Sequence, residues 1–169
     1  MKLNTKGMTI IELLLGTVLF SFLALGVTIF MSTGTKTCNN AETTIKVPFY
    51  DNDPMGVVWH GNYVKYLEIA RCDALGKLGY DYMDMKNDGV MYPIAKLDMK
   101  YIKPATFAEN LRVVMTFEEL EPSLIIKYEI FDENDEKIFK AKSMQICVNI
   151  QTKESVYVAP QRFKELLNV

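Results

Sequence analysis

Histidine and tryptophan each occur once in these 169 residues, and cysteine three times. His60 with the distant thiols Cys38, Cys72 and Cys147 gives no ligand set at metal-binding spacing, which sets zinc and iron–sulfur sites aside. An odd, scattered set of cysteines also builds no disulfide framework and fits a reducing compartment, with Cys72 and Cys147 expected as buried thiols. Two acidic stretches, 81–88 and 132–136, carry neither the glycine nor the closing glutamate of a calcium loop, so turns and helix caps are their expected use. The formal net charge is -2 with no basic stripe, which excludes nucleic acid as a partner class. No internal repeat or low-complexity tract appears. Apolar residues make up 49% and charged residues 24%, the composition of an ordinary folded domain. Roughly 130 residues remain once the N-terminal segment is set aside, enough for one core.

What is present is concentrated in Phe49–Arg71, FYDNDPMGVVWHGNYVKYLEIAR. Thr44–Phe49 reads as a short β-rich run delivering the chain to Tyr50. Asp51-Asn52-Asp53-Pro54-Met55-Gly56 is turn chemistry, short polar side chains followed by proline and glycine. From about Gly61, the positions Tyr63, Leu67, Ala70, Ala74 and Leu78 recur at helical steps, with Gly79 placed to cap the C-terminus. An acid just ahead of a helix N-terminus joins a proton acceptor or nucleophile to backbone donors that stabilise developing negative charge. Such equipment suits attack on an activated carbonyl.

Tyr50, Asp51, Asp53, Gly56, Asn62, Tyr63 and Glu68 together resemble the signature of the 4-hydroxybenzoyl-CoA thioesterase group of hotdog-fold enzymes, which includes the Tol–Pal-associated acyl-CoA thioesterases. The likeness extends over about Thr44–Leu167. It implies hydrolysis of acyl-CoA or acyl-carrier-protein thioesters, with Asp53 as nucleophile or general base. It implies oxyanion donors among the amides of His60–Tyr63, with His60 either a cap or a direct participant and Tyr63 lining the acyl pocket. Tyr50, Gly56, Val58, Trp59, Asn62 and Glu68 fall around the substrate in this reading; Glu68 has a helix-surface salt bridge as its alternative use. Coenzyme A is then part of the substrate, no separate cofactor is needed, and a homodimer or homotetramer is expected. A hotdog hydratase would pair its acid with histidine differently, and His60 after Asp53 does not match that arrangement.

The N-terminus carries the one long apolar run. Met8–Met31 contains fourteen Leu, Ile, Phe and Val residues and one charge, Glu12. As a helix it spans about 36 Å, enough to cross a hydrocarbon core of about 30 Å. Its leading edge, Lys6-Gly7-Met8-Thr9-Ile10-Ile11-Glu12, resembles the class III signal of type IV prepilins, implying cleavage after Gly7 and an assembly role for Glu12. A secretory signal ending near Ala24-Leu25-Gly26 competes but the run is long for one. The expected organisation is therefore 1–31 leader and membrane helix, 32–43 polar linker, 44–169 thioesterase domain. Lys2 and Lys6 ahead of the span place the N-terminus weakly in the cytoplasm. That topology gives a single-pass protein of the inner (cytoplasmic) membrane with its body outside, away from acyl-CoA. An extracytoplasmic thioester, an inverted anchor, or a cytosolic enzyme translated from Met31 would each remove the conflict. A membrane-anchored pilin-like structural subunit without catalysis is the competing function. Ser32-Thr33-Gly34-Thr35 and Cys38-Asn39-Asn40 break the continuous stem that it would need.

The remainder alternates at period two. Ala95, Leu97, Met99 and Tyr101 face one way and Lys96, Asp98 and Lys100 the other. Leu111, Val113, Met115 and Phe117 follow, then Leu124, Ile126, Tyr128 and Ile130, a turn at Glu133–Glu136, and a strand facing inward at Met144, Ile146, Val148 and Ile150. Pro160–Leu167 reads as a short terminal helix. One strand, a helix and four antiparallel strands give an α+β chain of hotdog class, a sheet wrapped around one central helix, preceded by a transmembrane helix. Lys96 and Lys100 face either solvent or the phosphates of coenzyme A.

Overall fold

The computed structural model describes residues 40–168. The prepilin-like leader, the membrane helix and most of the linker lie outside the described residues. Among those described, no helix is long and apolar enough to cross a membrane.

The described elements are β1 (Asn40–Lys46), α1 (Asn62–Leu78), α2 (Tyr82–Asn87), β2 (Val90–Met91), β3 (Ile94–Tyr101), β4 (Asn110–Glu119), β5 (Leu124–Phe131), β6 (Lys137–Gln145), β7 (Val148–Asn149) and α3 (Gln161–Leu167). Five strands form an antiparallel sheet in the order β1-β4-β5-β6-β3, and β2 pairs with β7 apart from it. The long helix α1 packs on β1 and β4. This is the sheet-around-a-helix architecture expected from the sequence.

The helix forms where the apolar stripe requires it. Tyr63, Tyr66, Leu67, Ala70, Ala74 and Leu75 are buried, and Gly79 stops the helix at φ +78°, a conformation that costs a side-chain-bearing residue about 1–2 kcal/mol. The sheet meets it with Leu111, Val113 and Met115 from β4 and Leu124, Ile126, Tyr128 and Ile130 from β5, all buried. Each fully buried side chain of this size contributes about 1.5–3 kcal/mol. Asp81 and Asp84 form a reciprocal capping box on α2, as turn-and-cap usage predicts.

Five expectations are corrected. The first strand begins at Asn40, inside the stretch read as linker, because its backbone pairs with β4 from Asn40↔Thr116 onward. It ends at Lys46, and Phe49–Asp51 is a 3-10 turn rather than strand, since Pro48 has no N–H to extend a ladder. The last long strand runs over Lys137–Gln145 and not through Ile150; its inward residues are Phe139, Ala141, Ser143 and Gln145. Cys72 is exposed while Cys147 is buried. Of the apolar set on β3, Leu97 is half-buried, but Ala95, Met99 and Tyr101 stay exposed because β3 is an edge strand at the rim of the core.

Candidate active site

The motif folds as a small hairpin ahead of α1. Asn52 bridges to Val58, the Asp53 amide donates to Val57 O at 2.8 Å, and the Trp59 amide donates to Asp51 O at 2.9 Å. The tip is closed by Gly56 N donating to Asp53 O at 3.0 Å, with Gly56 at φ +82°. A second contact ties the returning arm to the body, where Val58 N donates to Ala105 O at 2.9 Å. The hairpin thus carries Asp53 on one arm and leads into α1 on the other.

Asp53 is half-buried, and its Oδ1 accepts from Met55 N at 2.8 Å in an Asx-type turn. One carboxylate oxygen holds the turn while Oδ2 has no hydrogen-bond donor among the described residues. At the other arm, Gly61 opens α1 without a side-chain cap; the Asn62 amide donates to Trp59 O at 2.9 Å and the Val64 amide to Gly61 O at 3.2 Å. The amides of His60 and Gly61 have no backbone acceptor among the described residues. The His60 carbonyl is held from outside the hairpin by the Tyr101 hydroxyl of β3 at 3.0 Å. Trp59 lies over Gly61 so closely that a Cβ there would come within 2.0 Å of its ring. Its ring centroid is 4.8 Å from that of exposed His60.

Below the hairpin sits a buried carboxylate, Asp51, 2% exposed. Its Oδ2 accepts from the Tyr66 hydroxyl at 2.8 Å and its Oδ1 pairs with the Lys65 ammonium, both from α1. Its carbonyl accepts again from Asn62 Nδ2 at 2.8 Å. Burial, reinforced by the Asp51 carboxylate, pushes the Tyr66 hydroxyl far above the usual tyrosine range, so it stays a donor throughout neutral pH.

Other expected residues are placed differently. Tyr63 is 2% exposed; its hydroxyl accepts from Ala105 N at 3.1 Å and its ring stacks on Phe139 at 4.9 Å, so its side chain belongs to the core. Val58 is buried beside it. Tyr50 is exposed, with the Lys65 ammonium 5.4 Å from its ring centre. Glu68 bonds the Arg71 guanidinium at 2.6 Å and the Tyr82 hydroxyl at 2.6 Å on the helix surface, the salt-bridge use. Burial raises the Glu68 carboxyl, but Tyr82 and Arg71 outweigh it and hold the group below the usual range. Lys96 pairs with Asp98 at 2.9 Å, and Lys96 and Lys100 are exposed on β3. A groove of about 500 Å³ lined by Asn40, Glu42, Lys77 and Phe117 lies at the C-terminal end of α1, at the far end of the helix from the hairpin. Among the described residues no three His, Cys, Asp or Glu side chains are grouped to hold a metal.

The contacts of Asp51 with Lys65 and Tyr66, and of Tyr101 with His60, are the features near the hairpin that sequence reasoning passed over. Tyr66 lies one position before Leu67, beside the expected stripe, and nothing in the helical pattern points to a role for its hydroxyl. No local pattern links Tyr101 to His60, which it meets only through the sheet.

Residues 47–167 match the thioesterase-like superfamily. A putative acyl-CoA thioesterase of Bacillus subtilis is 32% identical over 110 residues, 64% of this chain and 80% of that protein. A 1,4-dihydroxy-2-naphthoyl-CoA hydrolase of Thermosynechococcus vestitus is 28% identical over 112 residues, 65% of this chain and 77% of that protein. Among solved structures, a DHNA-CoA thioesterase from Staphylococcus aureus superposes with TM-score 0.70 at 30% identity, covering 76% of this chain and 89% of that one.

Proposed function

This chain belongs to the thioesterase-like superfamily, and we propose that it works there as an acyl-CoA thioesterase of the 4-hydroxybenzoyl-CoA thioesterase group with Asp53 as its reactive carboxylate. It is a thioester hydrolase. The observation that carries the assignment of Asp53 is the hairpin, which joins a carboxylate whose Oδ2 has no donor among the described residues to the His60 and Gly61 amides, which have no backbone acceptor among them.

In this reading the thioester carbonyl oxygen lies against the amides at His60 and Gly61, which stabilise the charge that develops there. Asp53 then acts in one of two ways. As a general base it takes a proton from water, whose oxygen attacks the carbonyl carbon. As a nucleophile it attacks that carbon itself, and water hydrolyses the resulting anhydride. On either route the carbon–sulfur bond breaks, the thiolate takes up a proton, and the products are a carboxylic acid and coenzyme A. Trp59, His60 and Tyr50, exposed around the hairpin, border the acyl group, and acyl-carrier-protein thioesters share the same reacting atoms.

A second copy of the chain completes the site in this proposal, since the exposed strand β3 reaches the hairpin through Tyr101 and His60. The apolar run Met8–Met31 anchors the protein in the cytoplasmic membrane as a single span, or is absent from a cytosolic form begun at Met31. A C-terminal tag followed through membrane fractionation separates the two.

The test is thiol release by the full chain from acetyl-, hexanoyl-, palmitoyl- and benzoyl-CoA. Wild-type protein is expected to hydrolyse at least one, and Asp53→Asn to lose turnover with its circular dichroism and melting temperature retained. Wild-type turnover in Asp53→Asn removes the mechanism.

A further inference from the structure

We infer that Asp51 is the positioning residue of this site: it locks the hairpin that carries Asp53 onto the first turns of α1. The inference rests on the reading of Asp53 given above.

Four hydrogen bonds or ion pairs converge on Asp51. Its carbonyl takes Trp59 N at 2.9 Å from the returning arm and Asn62 Nδ2 at 2.8 Å from the first residue of α1. Its carboxylate takes the Tyr66 hydroxyl at 2.8 Å and the Lys65 ammonium, one turn further along the same helix. A carboxylate that is 2% exposed is tolerable only with such partners, so the arrangement is stiff by necessity. Asp53 has no comparable tether. Its own bonds run to Met55, Gly56 and Val57, all within the hairpin, and they would travel with the hairpin if it tilted. The returning arm is held to the body at Val57 and Val58, which pair with Thr106 and Ala105, while the arm that carries Asp53 is held to α1 at the hairpin base, two residues before Asp53, where Asp51 sits. A displacement of the order of 1 Å in such a geometry costs about a hundredfold in rate.

Asp51→Asn is the direct probe. The amide keeps an acceptor for Tyr66 but turns an N–H₂ group toward the Lys65 ammonium, so the lock opens on one side. Measured on the full chain with benzoyl-CoA and hexanoyl-CoA, kcat is expected to fall about tenfold to a hundredfold with KM changed less than about threefold. Tyr66→Phe and Lys65→Met release the same lock from the helix side. The losses in log kcat for Asp51→Asn and Tyr66→Phe are expected to be clearly less than additive in the double variant. A purely structural role would lower the melting temperature of Asp51→Asn and leave kcat per folded molecule at the wild-type value, which overturns the inference. Should Asp51→Asn not fold, Tyr66→Phe and Lys65→Met decide: reduced kcat in both sustains the inference, and wild-type kcat in both overturns it. An inactive Asp53→Asn beside a fully active Asp51→Asn defeats this inference alone, whereas an active Asp53→Asn defeats the reading on which it rests.

Discussion

The Arg71 guanidinium of α1 donates to the side-chain oxygen of Gln145, the last residue of β6, at 2.7 Å, and both residues are buried. Gln145 in turn donates to Ser143 Oγ at 3.2 Å. This polar seam pins the central helix to the inner face of the sheet. Replacing Gln145 with leucine leaves a buried charged donor without its acceptor, and hydrogen bonds to charged groups are worth about 1.5–3 kcal/mol. Gln145→Leu is expected to lose about that much stability in urea denaturation with the slope of the transition unchanged.

The same seam explains where sequence reading succeeded and where it slipped. On β4 and β5 the inward positions are uniformly apolar, and the period-two pattern located them correctly. On β6 the inward positions include Ser143 and Gln145, polar groups that serve Arg71 across the core. The alternation Met144, Ile146, Val148 and Ile150 therefore suggested the wrong phase and carried the strand past its real end. Local order in the motif was legible because turn chemistry and a helical stripe adjoin one another there. The lock at Asp51 was not, since it depends on Lys65 and Tyr66 being turned toward the hairpin, a consequence of packing that a helical stripe alone does not reveal.

Gly61 offers a second check on the helix start. Trp59 is the single tryptophan of the chain, and its ring occupies the space a Cβ at Gly61 would need. Gly61→Ala is expected to push the indole outward into water. Tryptophan emission then moves to longer wavelength, while Asp53 is untouched and the core of α1 stays folded. An unshifted spectrum would mean that the ring does not rest on Gly61 in solution.

Glu68 gives a pH-dependent signature. Its carboxyl is held below the ordinary value of about 4.3 in the folded chain, because Tyr82 and Arg71 outweigh its burial. A depressed carboxyl adds stability that is complete above the unfolded-state value and drains away as pH falls through the folded-state value. The melting temperature of wild-type protein is thus expected to exceed that of Glu68→Gln at neutral pH, with the gap closing as pH falls through the ordinary carboxylate range and below it. A gap that is constant across that range would show that Glu68 is not ionised against Arg71 and Tyr82.

The edge strand β3 bears most directly on the assembly. It stands at the end of the sheet order, with Ile94 44%, Met99 40% and Tyr101 44% exposed, and Ile102 just past it is 45% exposed. An edge of this kind is a template for pairing unless it is covered or charged. Lys96 and Asp98 neutralise one another, which leaves Lys100 as the one charge on the strand uncompensated among the described residues. Tyr101 also reaches the hairpin, donating to His60 O with its ring centre 5.3 Å from that of Tyr63. Whatever covers β3 therefore lies against the helix start where the thioester is proposed to bind. Light scattering is expected to show the wild-type chain as a dimer or larger, and Met99→Lys with Ile102→Lys to shift it toward monomer. If a second copy supplies part of the site, as proposed, turnover should fall at least tenfold with dissociation and recover as protein concentration is raised. A monomeric double variant with wild-type turnover at every concentration would show that one chain suffices.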